Sequence, residues 1–155
     1  QEMDKRTLLE LHHLILKGID RENAGSFRSV PVRISGSEHL PPQPYLIDKM
    51  MEDYFVHYLM QRQRLHPVIL AAEMHERLVS VHPFIDGNGR TSRLVMNLIL
   101  LQNEYTIANL KGDDESRLNY YNALESVQVD NNPEPFYHIV IDSVIESLNN
   151  HLAMV

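Results

Sequence analysis

The sequence predicts an all-α fold carrying one short β-hairpin, and three observations lead there. Apolar residues recur at three- or four-residue spacing through most of the 155 residues, one stretch alternates with period two, and helix-starting and helix-ending residues punctuate the rest. From Arg6 to Ile19, Leu8, Leu11, Ile15 and Ile19 form one apolar face, and Lys17 and Gly18 suit its end. Val30, Val32 and Ile34 then alternate with Pro31, Arg33 and Ser35 before a Ser35-Gly36-Ser37 turn and the proline run Pro41 to Pro44. This stretch is expected to be a proline-edged hairpin or extended flap. A second helix is expected from about Tyr45 to Leu65, burying Ile47, Met50, Met51, Tyr54, Tyr58 and Leu59. His66-Pro67 restarts the chain, with proline at a first helical position, and Val68 to Ser80 reads as a third helix. The segment His82 to Gly89 breaks the periodicity, and Leu94, Val95, Leu98 and Leu101 restore it over Arg90 to Gln102. Glu115 to Val127 follows as a helix. Asn132-Pro133-Glu134 starts a last one, which carries Phe136, Ile139, Val140, Val144 and Leu148.

Composition narrows the function classes. Fourteen Lys and Arg against 21 Asp and Glu give a net charge of −7, with 43% hydrophobic and 23% charged residues. That is the composition of one ordinary globular domain, and no repeat or linker divides residues 1–155. No basic cluster favours nucleic acid or an anionic membrane, so neither is an expected partner. The longest apolar runs, such as Leu98 to Leu101, fall far short of the ~20 residues a bilayer requires, and no signal-peptide pattern precedes them. A cytoplasmic location is the default expectation. Zero cysteines exclude thiol nucleophiles and Cys-based zinc sites. The chain opens on Gln1, not Met, so it is expected to be a fragment of something longer.

Chemistry concentrates in His82-Pro83-Phe84-Ile85-Asp86-Gly87-Asn88-Gly89-Arg90-Thr91-Ser92-Arg93. Two glycines flank an asparagine where a helix begins. Glycine allows a tight turn and close approach of a ligand, while the free N–H groups of a first helical turn attract anions. Arg90 and Arg93 share a face of that turn, where the helix dipole disfavours each cation by about 0.3–1 kcal/mol, so an anionic ligand is expected to compensate. Beside a polyphosphate, the lone carboxylate of Asp86 would carry Mg²⁺, which keeps waters and phosphate oxygens as its other ligands. His82, with an ordinary imidazole value near 6.5, could take a proton from an attacking hydroxyl. Each residue has an ordinary structural role as well: Asp or Asn as an N-cap, His-Pro as a loop, Gly-x-Gly as a turn. Their combination does not, since nine specified positions in twelve recur by chance about once in 10¹¹ sites.

His82 to Arg93 resembles the full signature of the Fic (Fido-fold) family, HPFxDGNGRxxR, with every specified position filled. Ala24-Gly25-Ser26-Phe27-Arg28, the Val30 to Pro42 segment and the helix after Arg90 are similar to their Fic counterparts, so the resemblance runs from about Leu8 to Leu148. It implies an all-α bundle of six to eight helices with a short β-hairpin flap near the active site. It implies a protein adenylyltransferase, moving AMP from Mg-ATP to a Ser, Thr or Tyr hydroxyl of a target protein with loss of pyrophosphate. By position, the resemblance makes His82 the general base and Asp86 the Mg²⁺ ligand. Gly87, Asn88 and Gly89 would be the anion hole, Arg90 and Arg93 would neutralise the outer phosphates, and Phe84 would brace the loop from inside. Val32, Arg33 and Ile34 resemble the flap that holds the target segment by strand addition. Tyr120, Tyr121 and Gln128 fall where relatives line the adenine pocket, with Gln128 replacing an expected asparagine. Packing of an amphipathic helix is the alternative role for the two tyrosines.

Many Fic enzymes carry an inhibitory (S/T)xxxE(G/N) helix, and no Ser or Thr here has Glu four residues later. The flap and first helix resemble the subclass whose inhibitor lies N-terminal to the core, so that segment is expected to have preceded Gln1. A separate antitoxin-like protein is the rival partner, and a homodimer is a third. Three other functions compete with AMP transfer: hydrolytic removal of AMP, transfer of another phosphate-bearing group, and a non-catalytic nucleotide-binding module. Intact His82 and Asp86 weigh against the last. None of the nine histidines has zinc-ligand spacing, and the remaining ones are expected at the surface or at helix ends.

Overall fold

The computed structural model describes residues 2–155. Six helices account for most of them: α1 (Lys5–Leu16), α2 (Ile47–Gln61), α3 (Pro67–Val81), α4 (Asn88–Gln102), α5 (Asp114–Asp130) and α6 (Glu134–Ala153), with a 3₁₀ turn at Pro44–Leu46 leading into α2. Their starts follow local chemistry. Asp4 accepts from the Thr7 N–H at 2.8 Å, Asp113 from the Ser116 N–H at 3.0 Å, and His66 Nδ1 from the Val68 N–H at 3.2 Å, just before Pro67. Each cap satisfies a donor that the first helical turn cannot.

Helix α3 runs through the centre. It packs along α4 and touches α2, α5 and α6, and Leu70, Ala71, Met74 and Leu78 are sealed from solvent on its various sides. From α4 come Val95, Met96, Ile99 and Leu100, and from α6 Phe136, Val140 and Val144. Because four helices pack around α3 and leave only Arg77 of it exposed, its C-terminal end is a fixed point, and the chain leaves it into the glycine-rich segment that begins α4.

Several expected boundaries shift. Helix α1 stops at Leu16, and Ile19 lies outside it, 66% exposed, in the turns that lead to Gly25 at φ +79°. Leu59 is 47% exposed: three residues from the end of α2, it points away from the core that Tyr58 enters. The β-hairpin does not form, since no strand occurs among the described residues and Val30 to Ile34 run extended without a partner ladder. Pro31 withholds a ladder donor and the Pro41 to Pro44 run withholds three more, so the period-2 pattern makes a single extended edge instead of a pair.

Candidate active site

A cleft of about 660 Å³ opens where the α3–α4 connection meets α5 and the flap. His82, Asp86, Gly87, Asn88, Gly89, Arg90 and Arg93 line one wall, Tyr120, Tyr121 and Gln128 another, and Ile34 to Ser37 the rim. Val32 and Arg33 belong to the same extended stretch but do not line the cleft.

His82 caps α3 in the left-handed region, φ 52° and ψ 57°, a conformation that costs a non-glycine residue about 1 kcal/mol or more. The Val79 carbonyl accepts from its Nδ1–H at 3.1 Å, which leaves Nε2 without a proton. Burial holds the imidazole below its ordinary value, the Val79 hydrogen bond raises it in part, and the Arg28 and His39 charges lower it further. The ring is therefore neutral at pH 7.

Beneath the loop, the buried Asn88 amide spans Phe84, accepting from its N–H at 3.0 Å and donating to its carbonyl at 2.9 Å. Phe84 points inward, fully buried, its ring 5.5 Å from that of Phe27. Gly87 starts α4 at φ +81°, and a Cβ there would lie 3.1 Å from Leu16 Cδ2, so only glycine fits both the turn and the packing. A Cβ on Gly89 would meet nothing, which leaves open space directly over the first turn. That turn has no acidic residue and no side-chain cap, and its N–H groups face the cleft without intrahelical acceptors.

The charges of the cleft are only loosely paired. Arg93 is buried at Nε without an acceptor among the described residues, and its guanidinium stacks 5.2 Å over the Tyr120 ring. Arg90 has only a long contact, 3.5 Å, to the Asp86 carboxylate. Asp86 takes 2.7 Å from the Gly87 N–H on one oxygen and otherwise faces solvent. Among the described residues no three His, Asp or Glu side chains are grouped to hold a metal ion, and Asp86 is the one carboxylate of the loop. Such a donor set fits Mg²⁺ held mainly by phosphates and water.

On α5 the two tyrosines divide. Tyr120 is 6% exposed, hydrogen bonded to His75 Nε2 at 2.8 Å and packed on Phe136, so it serves the core while its ring carries the Arg93 guanidinium. Tyr121 is exposed along the cleft. Gln128 carries a buried amide nitrogen with no acceptor among the described residues.

Four residues escaped sequence reasoning. Arg28 is buried with no acid beside it and donates to four backbone carbonyls: His82 at 2.6 Å, Val30 at 2.9 Å, Pro42 at 2.6 Å and Val81 at 3.5 Å. Glu125 lines the cleft and accepts from the Glu38 N–H of the flap at 2.9 Å. His12 and His75 are fully buried, which corrects the expectation that the remaining histidines lie at the surface or at helix ends. The only sequence signal for Arg28 was its place in the Gly-Ser-Phe-Arg stretch; the others had none, because their partners are distant in sequence.

The sequence profile of the Fic/DOC family matches residues 2–100. The protein adenylyltransferase Fic of Drosophila grimshawi is 37% identical over 153 residues, which are 97% of this chain and 30% of that protein. Its namesake in Drosophila mojavensis is 36% identical over 149 residues, 95% and 28% of the respective chains. Among solved structures, C. elegans Fic-1 (aa134–508) superposes with a TM-score of 0.84 at 28% identity, covering 99% of this chain and 44% of that one. A Fic domain-containing signaling protein from Bacteroides thetaiotaomicron gives 0.84 at 28%, covering 96% and 61%. The chain thus spans about 30% of the length of the curated relatives it matches.

Proposed function

Since the chain belongs to the Fic/DOC family, we propose that residues 1–155 act as one Fic domain that transfers AMP from ATP to a Ser, Thr or Tyr hydroxyl of a protein. The observation that carries this reading is a histidine with Nε2 free of its proton in the same cleft as an uncapped helix N-terminus and an arginine whose buried Nε has no acceptor among the described residues.

In the proposed reaction His82 Nε2 accepts the proton of the incoming hydroxyl. The hydroxyl oxygen forms a bond to the α-phosphorus, the bond from that phosphorus to the bridging oxygen breaks, and pyrophosphate leaves with the electron pair. The first-turn N–H groups of α4 and the Arg93 guanidinium hold the phosphates in line, so catalysis is mainly positioning and charge compensation. Asp86 would hold Mg²⁺, which supplies charge neutralisation on the phosphates. Tyr121 and Gln128 would bound the base, Gln128 offering its buried N–H to a ring acceptor. Ile34 and the exposed flap backbone would take the target segment by strand addition, with the free edge that no hairpin partner occupies.

The test is incubation with Mg²⁺ and α-labelled ATP beside a His82→Ala control, reading label in the protein itself and in lysate proteins. Label transferred by the parent and lost by at least ~100-fold in the variant is the expected result. Equal labelling by both would remove His82 from the role of base. Absence of labelling, with nucleotide binding intact, would overturn AMP transfer in favour of a binding module.

A further inference from the structure

Opposite the cleft, the catalytic loop rests on a histidine that the proposed reaction does not use. His12 sits in α1, sealed from solvent, and a buried imidazole needs partners for both nitrogens. Gly25 N–H donates to Nδ1 at 2.9 Å, so Nδ1 carries no hydrogen. The proton of the neutral ring is thereby assigned to Nε2, which donates to the Asp86 carbonyl at 2.9 Å. The ring also stacks on Phe84, centroids 3.6 Å apart and planes 6° from parallel. A Cβ on Gly87 would lie 3.5 Å from His12 Nε2, so the loop backbone is closed down on this ring on both sides of Asp86.

We infer that His12 is a positioning residue for the Asp86 carboxylate: one fixed tautomer, anchored by Gly25, pins the Asp86 peptide from behind so that its side chain projects into the cleft. This rests on the reading of Asp86 as the metal carboxylate. The one short hydrogen bond of the carboxylate, 2.7 Å, comes from the adjacent Gly87 N–H of the same loop backbone, and beyond it there is a 3.5 Å contact to Arg90. Its direction therefore depends on the peptide that carries it, and His12 is the side chain that holds that peptide. The same ring ties the loop to the Gly25 turn, three residues before the Arg28 that secures the flap.

The experiment uses Mn²⁺ as the metal probe. Binding of Mn²⁺ with a non-hydrolysable ATP analogue is measured by water-proton relaxation, and binding of the analogue alone is measured in chelator. His12→Phe keeps the stacking and most of the volume but neither hydrogen bond, while His12→Gln can restore a donor towards the Asp86 carbonyl. Expected is a loss of about 10-fold or more in metal-dependent affinity for His12→Phe, with metal-free binding within about 3-fold of the parent and substantial recovery in His12→Gln. Nitrogen-15 shifts of the parent should give the Nε2–H tautomer for His12. Metal dependence unchanged in His12→Phe, equal losses with and without metal, or an Nδ1–H tautomer would each overturn the inference. If His12→Phe fails to fold, His12→Gln and the tautomer decide alone. Asp86→Ala separates the two layers. Unchanged metal affinity in that variant would overturn the Asp86 reading and this inference together, whereas a loss there without one in His12→Phe overturns only the role of His12.

Discussion

Which imidazole nitrogen carries the proton decides what His82 can do. The Val79 carbonyl selects Nδ1–H and burial lowers the value at which the ring charges, so in the proposed reaction the residue would serve as a base without first losing a proton. Transfer needs the neutral form, so kcat/KM should rise with pH along a limb whose midpoint lies below the ordinary 6.5 and stay level up to about pH 8. A limb centred above 6.5 would mean that another group titrates in the rate. The identities of these signature residues were legible in the sequence because helix-start chemistry, glycine turns and charge compensation are local and written within twelve consecutive positions. Arg28 and His12 were not legible. Their partners lie 54 and 74 positions away, and a lone arginine or histidine on an apolar face looks the same whether it bonds a distant carbonyl or water.

Among the elements, the helices followed from periodicity and caps, and their errors were confined to ends. Helix α1 was expected too long because Ile19 continues its spacing, yet the chain must turn back so that Gly25 reaches His12. For the flap, expected as a hairpin or an extended stretch, the hairpin is absent, since alternation does not record whether a second strand pairs with the first. What restrains it instead is side-chain chemistry: Arg28 at its ends, the His39 ring hydrogen bonded to the Ser80 carbonyl at 2.8 Å, and Glu125 on the Glu38 N–H. Glu125→Ala frees the flap from α5. The expected outcome is a 2- to 10-fold rise in KM for the protein target, in line with about 0.5–1.5 kcal/mol for one such bond. Steady-state kinetics against a modified target would check this, and an unchanged KM would mean that the flap needs no tie to α5.

For the molecule as a whole, packing α3 among four other helices has an electrostatic cost at Glu76. Burial pushes its carboxyl up to about 7, against the lowering by Arg77 and with a further rise from Glu73. A group raised in the folded state contributes stability that is complete below its unfolded value, near 4.5, and is lost as pH climbs through about 7. Glu76→Gln removes that titration, so its melting temperature relative to the parent should increase from pH 5 to pH 8, corresponding to roughly 1–3 kcal/mol. A difference that does not vary with pH would show that Glu76 stays paired as an anion. The sequence foretold a bundle but not which helix is central. A helix buried all round and one that meets solvent can share the same apolar spacing, and α3 is distinguished only by the polar residues, His75 and Glu76, that it carries inside.

The guanidinium of Arg28 has a consequence for how such a molecule can vary. Both roots of the flap, at Val30 and Pro42, fasten to the same group that holds the His82 carbonyl. On the proposed reading, residues 31–41 would then tolerate exchange where His39 and the Glu38 N–H do not tie them to Ser80 and Glu125, while the two roots keep their distance from His82. If the flap takes the target as proposed, a change of target would then fall on those free positions and leave the position of His82 as it is.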